Sequence, residues 1–311
     1  MNFKRNHFIG LKDKTGDEIL QVLEIADTMK FLLAKENKKS PHLAGKNVVM
    51  LFYEKSSRSR LSFELAAQYL GANIVDLLTT LELTDNESLI DMGGVIDQMG
   101  GDYIIFKHPC SGSAKLLAEN TRAGVISAGD GVNENPSQSL IELLTIKKEK
   151  GGFGGLKVTI VGDVAHSRVA KSNIWGLLTL GAEVRVAAPP TLVPAGIEGY
   201  GVSVMYDVAE AVNGADVILC VRLKSEVQLE NSMMPLNEYK NFFLIDAKTL
   251  RYAKKDAIVM HPGPINKGVE ISSEVISGRQ CLVDDQIANG IAVRMAMLYI
   301  LSLKGDTSGW I

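Results

Sequence analysis

The sequence predicts an α/β protein made of two doubly wound, parallel-sheet domains. Three observations predict it. Apolar runs of strand length alternate with segments of helical period from residue 48 to residue 260. The alternation breaks once, at Lys150-Gly151-Gly152-Phe153-Gly154-Gly155, and then resumes. At 311 residues the chain is also long for a single core, so two domains is the default.

Thr15 to Glu36 has a helical period, with Ile19, Leu20, Val22, Leu23, Ala26, Met29, Leu32 and Leu33 forming a wide apolar stripe. Asp17 and Glu18 at its start and Lys35 at its end suit the helix dipole. The first alternating series follows. Strands are expected at 48–53, at Asn73-Ile74-Val75, at Tyr103-Ile104-Ile105-Phe106 and at Gly124-Val125-Ile126-Ser127, with helices at 61–70, 87–99 and 113–119 between them. Such spacing argues for a parallel sheet with helices on both faces. A helix from Ser137 to Lys148 precedes the glycine-rich break.

The second series opens at Lys157-Val158-Thr159-Ile160-Val161-Gly162-Asp163 and continues through a helix at 167–180 and a strand at 183–187. Further strands are expected at Asp216-Val217-Ile218-Leu219, Phe243-Leu244-Ile245 and Ala257-Ile258-Val259-Met260, and a closing helix runs from Gln286 to Leu303. Gly162 stands alone after its strand, with no G-x-G-x-x-G, so a dinucleotide site has weak support.

Composition narrows the function classes. A net charge of −3 gives no electrostatic case for nucleic acid. No apolar run reaches the ~18 residues of a membrane span, and Met1 to Phe8 lacks the apolar core of a signal peptide. Cys110, Cys220 and Cys281 are widely spaced, which suits reduced thiols in a cytoplasm. The five histidines show no paired His/Cys spacing, so a structural metal is not expected.

The most informative stretch is Ser56-Ser57-Arg58-Ser59-Arg60, set between the strand at 48–53 and the helix at 61–70. The unpaired N–H groups of a helix start point outward there, and arginine can grip a phosphate or carboxylate through a planar fork. A solvated turn is the bland alternative, but a helix N-terminus is not where cations are otherwise placed. Arg60 is expected to pair with Glu64 one turn on, and Asp163 to cap or order the loop after its strand.

Further motifs run the length of the chain. They are Lys107-His108-Pro109, Ala128-Gly129-Asp130-Gly131, Asn135-Pro136-Ser137-Gln138, Val161-Gly162-Asp163 with His166-Ser167-Arg168-Val169-Ala170, and His261-Pro262-Gly263-Pro264-Ile265-Asn266-Lys267-Gly268-Val269-Glu270. In this order, with the serine–arginine turn, they resemble the aspartate and ornithine carbamoyltransferases. The His-Pro-Gly-Pro run and Asn289-Gly290-Ile291-Ala292-Val293-Arg294-Met295 look like the aspartate branch.

The resemblance implies a carbamoyl-phosphate domain, 1–134 plus 287–311, to which the C-terminal helix returns, and an amino-acid domain, 135–286. It implies attack of the amino group of L-aspartate on the carbamoyl carbon of carbamoyl phosphate, giving N-carbamoyl-L-aspartate for pyrimidine synthesis. No cofactor and no metal are implied. Ser56, Ser57, Arg58 and Ser59 would hold the phosphate, and Gln138 the carbamoyl amide. Arg168 and Arg222 would hold the carboxylates of the amino acid, and Gly263 and Pro264 would aim carbonyls at its amine across a cis peptide. A cytoplasmic homotrimer is implied too, with the loop Leu81 to Glu87 at a subunit boundary.

The chain departs from the family pattern at several of these positions. Asn135 replaces a histidine, Lys107 an arginine, and Asp85 a lysine, while Lys224 and Val227 alter the acceptor run that follows Arg222. Arg58, Lys107 and Asn135 are assigned to catalysis, and Lys224 joins the substrate-binding set. Two further readings stay open: an enzyme of this fold with a different acceptor or donor, and a non-catalytic ligand-binding or assembly homologue.

Overall fold

The computed structural model describes residues 7–78, 88–223 and 234–303. Asp85, the loop from Leu81 to Glu87, Lys224 and Val227 lie outside the described residues. The chain divides into two compact units, Met1–Leu144 with Ala288–Ile311, and Thr145–Ile287. The division falls within one helix, Pro136–Lys150, and near the start of another, Val283–Ser302.

Unit 1 opens with α1 (Gly16–Leu33), whose start is fixed by a capping box. Thr15 Oγ1 accepts from the Glu18 N–H at 3.2 Å, and Glu18 Oε2 accepts from the Thr15 N–H at 2.9 Å. Strands β1 (Asn47–Phe52), β2 (Asn73–Leu78), β3 (Tyr103–His108) and β4 (Gly124–Asp130) form one parallel sheet in the order β2-β1-β3-β4. Helices α2 (Ser57–Tyr69), α3 (Leu89–Gln98) and α4 (Ser113–Glu119) make the crossovers. Val49, Leu51, Ile104, Phe106 and Val125 of the strands pack with Ile96 and Leu117 of the helices in one core. Strands β1 and β3 read as near-continuous apolar runs because both their faces are covered, while the edge strand β2 leaves Val75 exposed.

Helix α2 begins at Ser57, four residues ahead of the expected start at Leu61. Its first turn, Ser-Arg-Ser-Arg, carries no apolar residue, so periodicity could not register it. Helix α5 (Pro136–Lys150) follows β4.

In unit 2, β5 (Lys157–Val161), β6 (Glu183–Ala187), β7 (Ser203–Met205), β8 (Val217–Cys220) and β9 (Ile258–Met260) form a second parallel sheet. Its order, β7-β6-β5-β8-β9, is doubly wound about β5. Helices α6 (Arg168–Thr179), α7 (Val208–Val212), α8 (Leu236–Phe243), α9 (Ala247–Leu250) and α10 (Ser273–Ile276) belong to this unit. The strand expected at Phe243-Leu244-Ile245 is not formed. Phe243 ends α8, and Ile245 makes a single parallel bridge to Ile271. The apolar run is explained by burial, since Phe243 and Ile245 fill the unit 2 core beside Tyr239 and Val259.

The closing helix, α11 (Val283–Ser302), is bound to unit 1 by specific contacts. Lys30 Nζ donates to Asn289 Oδ1 at 2.6 Å, and Arg294 donates to Ser62 Oγ at 2.8 Å while lying over the Phe63 ring. Tyr299 meets His42 edge to face. No helix among the described residues is long and apolar enough to cross a membrane.

Candidate active site

In an open doubly wound sheet, ligands bind beyond the carboxyl ends of the strands, where the strand order reverses. In unit 1 that point lies between β1 and β3. The segment leaving β1 is Tyr53-Glu54-Lys55-Ser56, and β3 ends at Lys107-His108. The predicted anion-binding residues therefore meet at the place where topology expects a ligand.

The start of α2 has the features expected of an anion-binding turn. Ser56 is its N-cap residue but makes no side-chain capping bond, and the first turn contains no acid. Its N–H groups and the dipole are thus not satisfied by a local carboxylate. Ser57 and Arg58 are exposed and Ser59 is half-buried at this end. Arg60 faces elsewhere, donating through Nε to Glu64 Oε1 at 3.2 Å and contacting Asp76, as expected of a structural residue. Lys107 is buried, and its Nζ donates to Ser56 Oγ at 2.7 Å with Glu54 Oε2 at 3.6 Å.

Next to it, the His108 ring stacks on Phe106, and its Nδ1 accepts from the Cys110 N–H at 3.0 Å. Burial holds the imidazole below its ordinary pKa. Asp130, at the end of β4, accepts from the N–H groups of Gly112 and Ala114 and so fixes the loop that leads into α4.

Asn135 and Gln138 stand at the start of α5. Asn135 is buried, and its Oδ1 accepts from Ser137 Oγ at 3.0 Å and from the Gln138 N–H at 3.2 Å. Its carbonyl end therefore caps the helix. Gln138 Nε2 donates to the fully buried Glu142 Oε1 at 3.2 Å, which turns Gln138 Oε1 outward as an acceptor. Glu142 was not singled out from sequence. The signal was its place four residues after Gln138, one helical turn away.

The second reversal point, between β5 and β8, carries the other predicted residues. Gly162 has φ +124° and a Cβ there would lie 2.5 Å from Val221 O, so only glycine lets the two strand ends come this close. Asp163 Oδ1 accepts from the His166 N–H at 3.1 Å and lies 2.9 Å from His166 Nδ1, ordering the loop that delivers Arg168 to the first position of α6. Ser167 is the N-cap of α6. Arg222 is exposed between the buried Val221 and Leu223. The Gly263-Pro264 peptide is cis, as the motif implied. Lys224 is outside the described residues.

A cleft of about 550 Å³ in unit 2, walled by Leu250, Arg251, Lys254 and Val275, is lined by none of these residues. No group of three or more His, Cys, Asp or Glu among the described residues is placed to hold a metal.

Two parallel α/β units, each placing candidate anion-binding side chains at its strand-order reversal, define a doubly wound protein suited to small charged ligands. Comparison with known proteins makes the class particular. Residues 6–148 match the aspartate/ornithine carbamoyltransferase carbamoyl-P binding domain, and residues 154–301 match the Asp/Orn binding domain of the same family. The chain belongs to the aspartate/ornithine carbamoyltransferase family. It is 50% identical over 306 residues to the aspartate carbamoyltransferase catalytic subunit of Ruminiclostridium cellulolyticum, covering 98% of each chain. Among solved structures, it resembles the catalytic subunit of M. jannaschii aspartate transcarbamoylase with a TM-score of 0.83 and 32% identity, covering 98% of this chain and 100% of that one. The ornithine carbamoyltransferase of Pyrococcus furiosus gives a TM-score of 0.84 at 29% identity, covering 94% and 95%. The fold is thus shared by both branches and does not by itself set the acceptor.

Proposed function

We propose that the chain transfers the carbamoyl group of carbamoyl phosphate to the amino group of L-aspartate, giving N-carbamoyl-L-aspartate and phosphate in pyrimidine biosynthesis. The observation that carries this reading is the near-complete match, at half identity, to a protein named as an aspartate carbamoyltransferase catalytic subunit.

The chemistry asks for positioning and charge stabilisation rather than a covalent intermediate. The start of α2 holds the phosphate through Ser56, Ser57, Arg58 and Ser59, with Lys107 adding charge from β3. Asn135 donates its NH₂ to the carbamoyl oxygen, and Gln138 accepts from the carbamoyl NH₂ through Oε1. Arg168, Arg222 and Lys224 take the two carboxylates of aspartate, and the carbonyls at Gly263 and Pro264 accept from its amine. The neutral amine attacks the carbamoyl carbon, a C–N bond replaces the C–O bond, and phosphate departs with the bonding pair as the amine loses a proton.

A second reading, the same fold with another acceptor or donor, is favoured by the altered residues at 107, 135 and 224. Incubating the purified chain with carbamoyl phosphate and either aspartate or ornithine separates the two. Carbamoyl-aspartate is the expected product. Its absence with both substrates bound would overturn the proposal, and absence of binding would point to the non-catalytic homologue.

The proposed assembly is a cytoplasmic homotrimer, by family resemblance. Light scattering at micromolar concentration is expected to give a three-chain mass, and a monomer would count against a site shared between subunits.

A further inference from the structure

The carboxylate of Glu270 is almost fully buried, with no lysine or arginine beside it among the described residues, and it gathers four donors. Oε1 accepts from the Leu223 N–H at 2.8 Å and from Asn266 Nδ2 at 2.9 Å. Oε2 accepts from the Asn266 N–H at 2.7 Å and lies 3.1 Å from His261 Nε2. His261 is equally buried, and its Nδ1 accepts from the Gly263 N–H at 2.8 Å. A nitrogen that accepts carries no proton, so Nε2 holds the ring proton and donates it to Glu270.

One unbroken hydrogen-bonded path therefore runs from the Gly263 N–H through His261 and Glu270 to the Leu223 N–H. Its two ends are the residues next to the proposed acceptor contacts, since Leu223 follows Arg222 and Gly263 opens the cis peptide to Pro264. Asn266 closes the loop by donating through Nδ2 to Leu223 O at 3.2 Å. Val221 N–H is held by Val161 O at 2.8 Å, so the backbone on both sides of Arg222 is pinned while its guanidinium stays exposed.

A buried carboxylate whose donors among the described residues are all uncharged is a poor device for stability, because well-packed apolar side chains would do as well or better. It is a good device for geometry, because one rigid acceptor sets four donors at once. We infer that Glu270 and His261 are positioning residues that lock the carboxylate-binding arm at Arg222 to the amine-binding arm at Gly263-Pro264. The inference deepens the proposed reaction and rests on it for the identity of the acceptor.

Glu270→Gln tests this at constant size, because the new NH₂ must face at least one of the four donors and leave it unpaired. The expected result is a rise of about tenfold or more in KM for aspartate, with KM for carbamoyl phosphate changed by less than about twofold. Asn266→Ala, which removes two of the tethers and leaves Glu270 in place, is expected to give the same split at smaller size. A general loosening of the fold would move both KM values together, and that outcome, or no change in either, would overturn the inference. Amide hydrogen exchange supplies a readout that needs no turnover. Leu223 and Gly263 should be protected in the wild type and lose protection in Glu270→Gln while β5 keeps it, and unchanged protection would overturn the path. If the wild type makes no carbamoyl-aspartate, the proposed reaction and the acceptor role fall together, and the exchange pattern alone decides whether Glu270 ties the two segments.

Discussion

Lys107 Nζ donates a 2.7 Å hydrogen bond to Ser56 Oγ, joining the end of β3 to the first residue of the serine–arginine turn. Glu54 Oε2 lies 3.6 Å from the same ammonium. The lysine therefore does two things an arginine fork would do differently. It aligns one serine hydroxyl, and it carries a compact charge that an acidic neighbour partly offsets. Lys107→Ala should weaken binding of inorganic phosphate by about tenfold or more, by removing a charge-assisted donor and releasing Ser56. Titration calorimetry reads this directly, and an unchanged affinity would take Lys107 out of the donor site.

Arg58 is exposed in the first turn of α2 and makes no ion pair with any described residue. The fold does not depend on its guanidinium, so Arg58→Ala should leave the melting temperature within about 1 °C while lowering phosphate affinity by at least about tenfold. A large fall in melting temperature would assign Arg58 to structure instead.

Much of this arrangement was legible in the sequence, for identifiable reasons. Buried strands read as apolar runs, so β1, β3, β4, β5, β8 and β9 stood out, whereas β7, three residues with none fully buried, carries too little signal. Phe243-Leu244-Ile245 misled because an apolar run reports burial and cannot tell a helix end from a strand. The polar first turn of α2 was invisible to periodicity, although its residue types marked the site at once. Arg60 with Glu64 was read from a one-turn spacing. Glu270 was not, because its contact with Leu223, 47 residues away in the chain, is made by tertiary folding and leaves no local spacing to read.

Asp97 offers a test of the fold away from the site. Its carboxylate accepts from Thr121 Oγ1 at 2.8 Å, the Arg122 N–H at 2.8 Å and the Ala123 N–H at 3.0 Å, tying α3 to the entry of β4. Partial burial pushes its pKa up, and these donors together with the Arg122 charge outweigh that and hold it below the ordinary value. A carboxyl depressed in the folded state stabilises the protein above its unfolded pKa, and the contribution disappears as pH falls through the folded value. Asp97→Ala should cost about 1–3 kcal/mol at pH 7, and the gap to wild type in urea denaturation should narrow as pH falls well below about 4. A gap that stays constant down to low pH would rule out the ionised carboxylate as its source.

The remaining prediction concerns two of the substitutions that set this chain apart at the donor side, Asp85 and Asn135. By resemblance the family has a lysine at the first position that reaches a carbamoyl-phosphate site, and with the loop inserted in the family manner the change would alter the charge beside a dianion by two units. At about 5 Å and an effective dielectric near 20, each unit interaction is roughly 3 kcal/mol, which even heavily screened exceeds the effect of exchanging one neutral donor for another. Asp85→Lys should therefore raise carbamoyl-phosphate affinity and turnover, and Asn135→His should raise them further. The histidine carries a cost the sequence did not reveal. Asn135 Oδ1 caps α5 through the Gln138 N–H, so its loss should reduce stability by about 0.5–2 kcal/mol. The two substitutions meet one substrate, so their effects on turnover need not add. The expected outcome is a double variant that melts lower and carbamoylates aspartate faster. A well-folded double variant with no gain would show that the donor side is not what limits transfer, and would shift the reading to a different acceptor or donor.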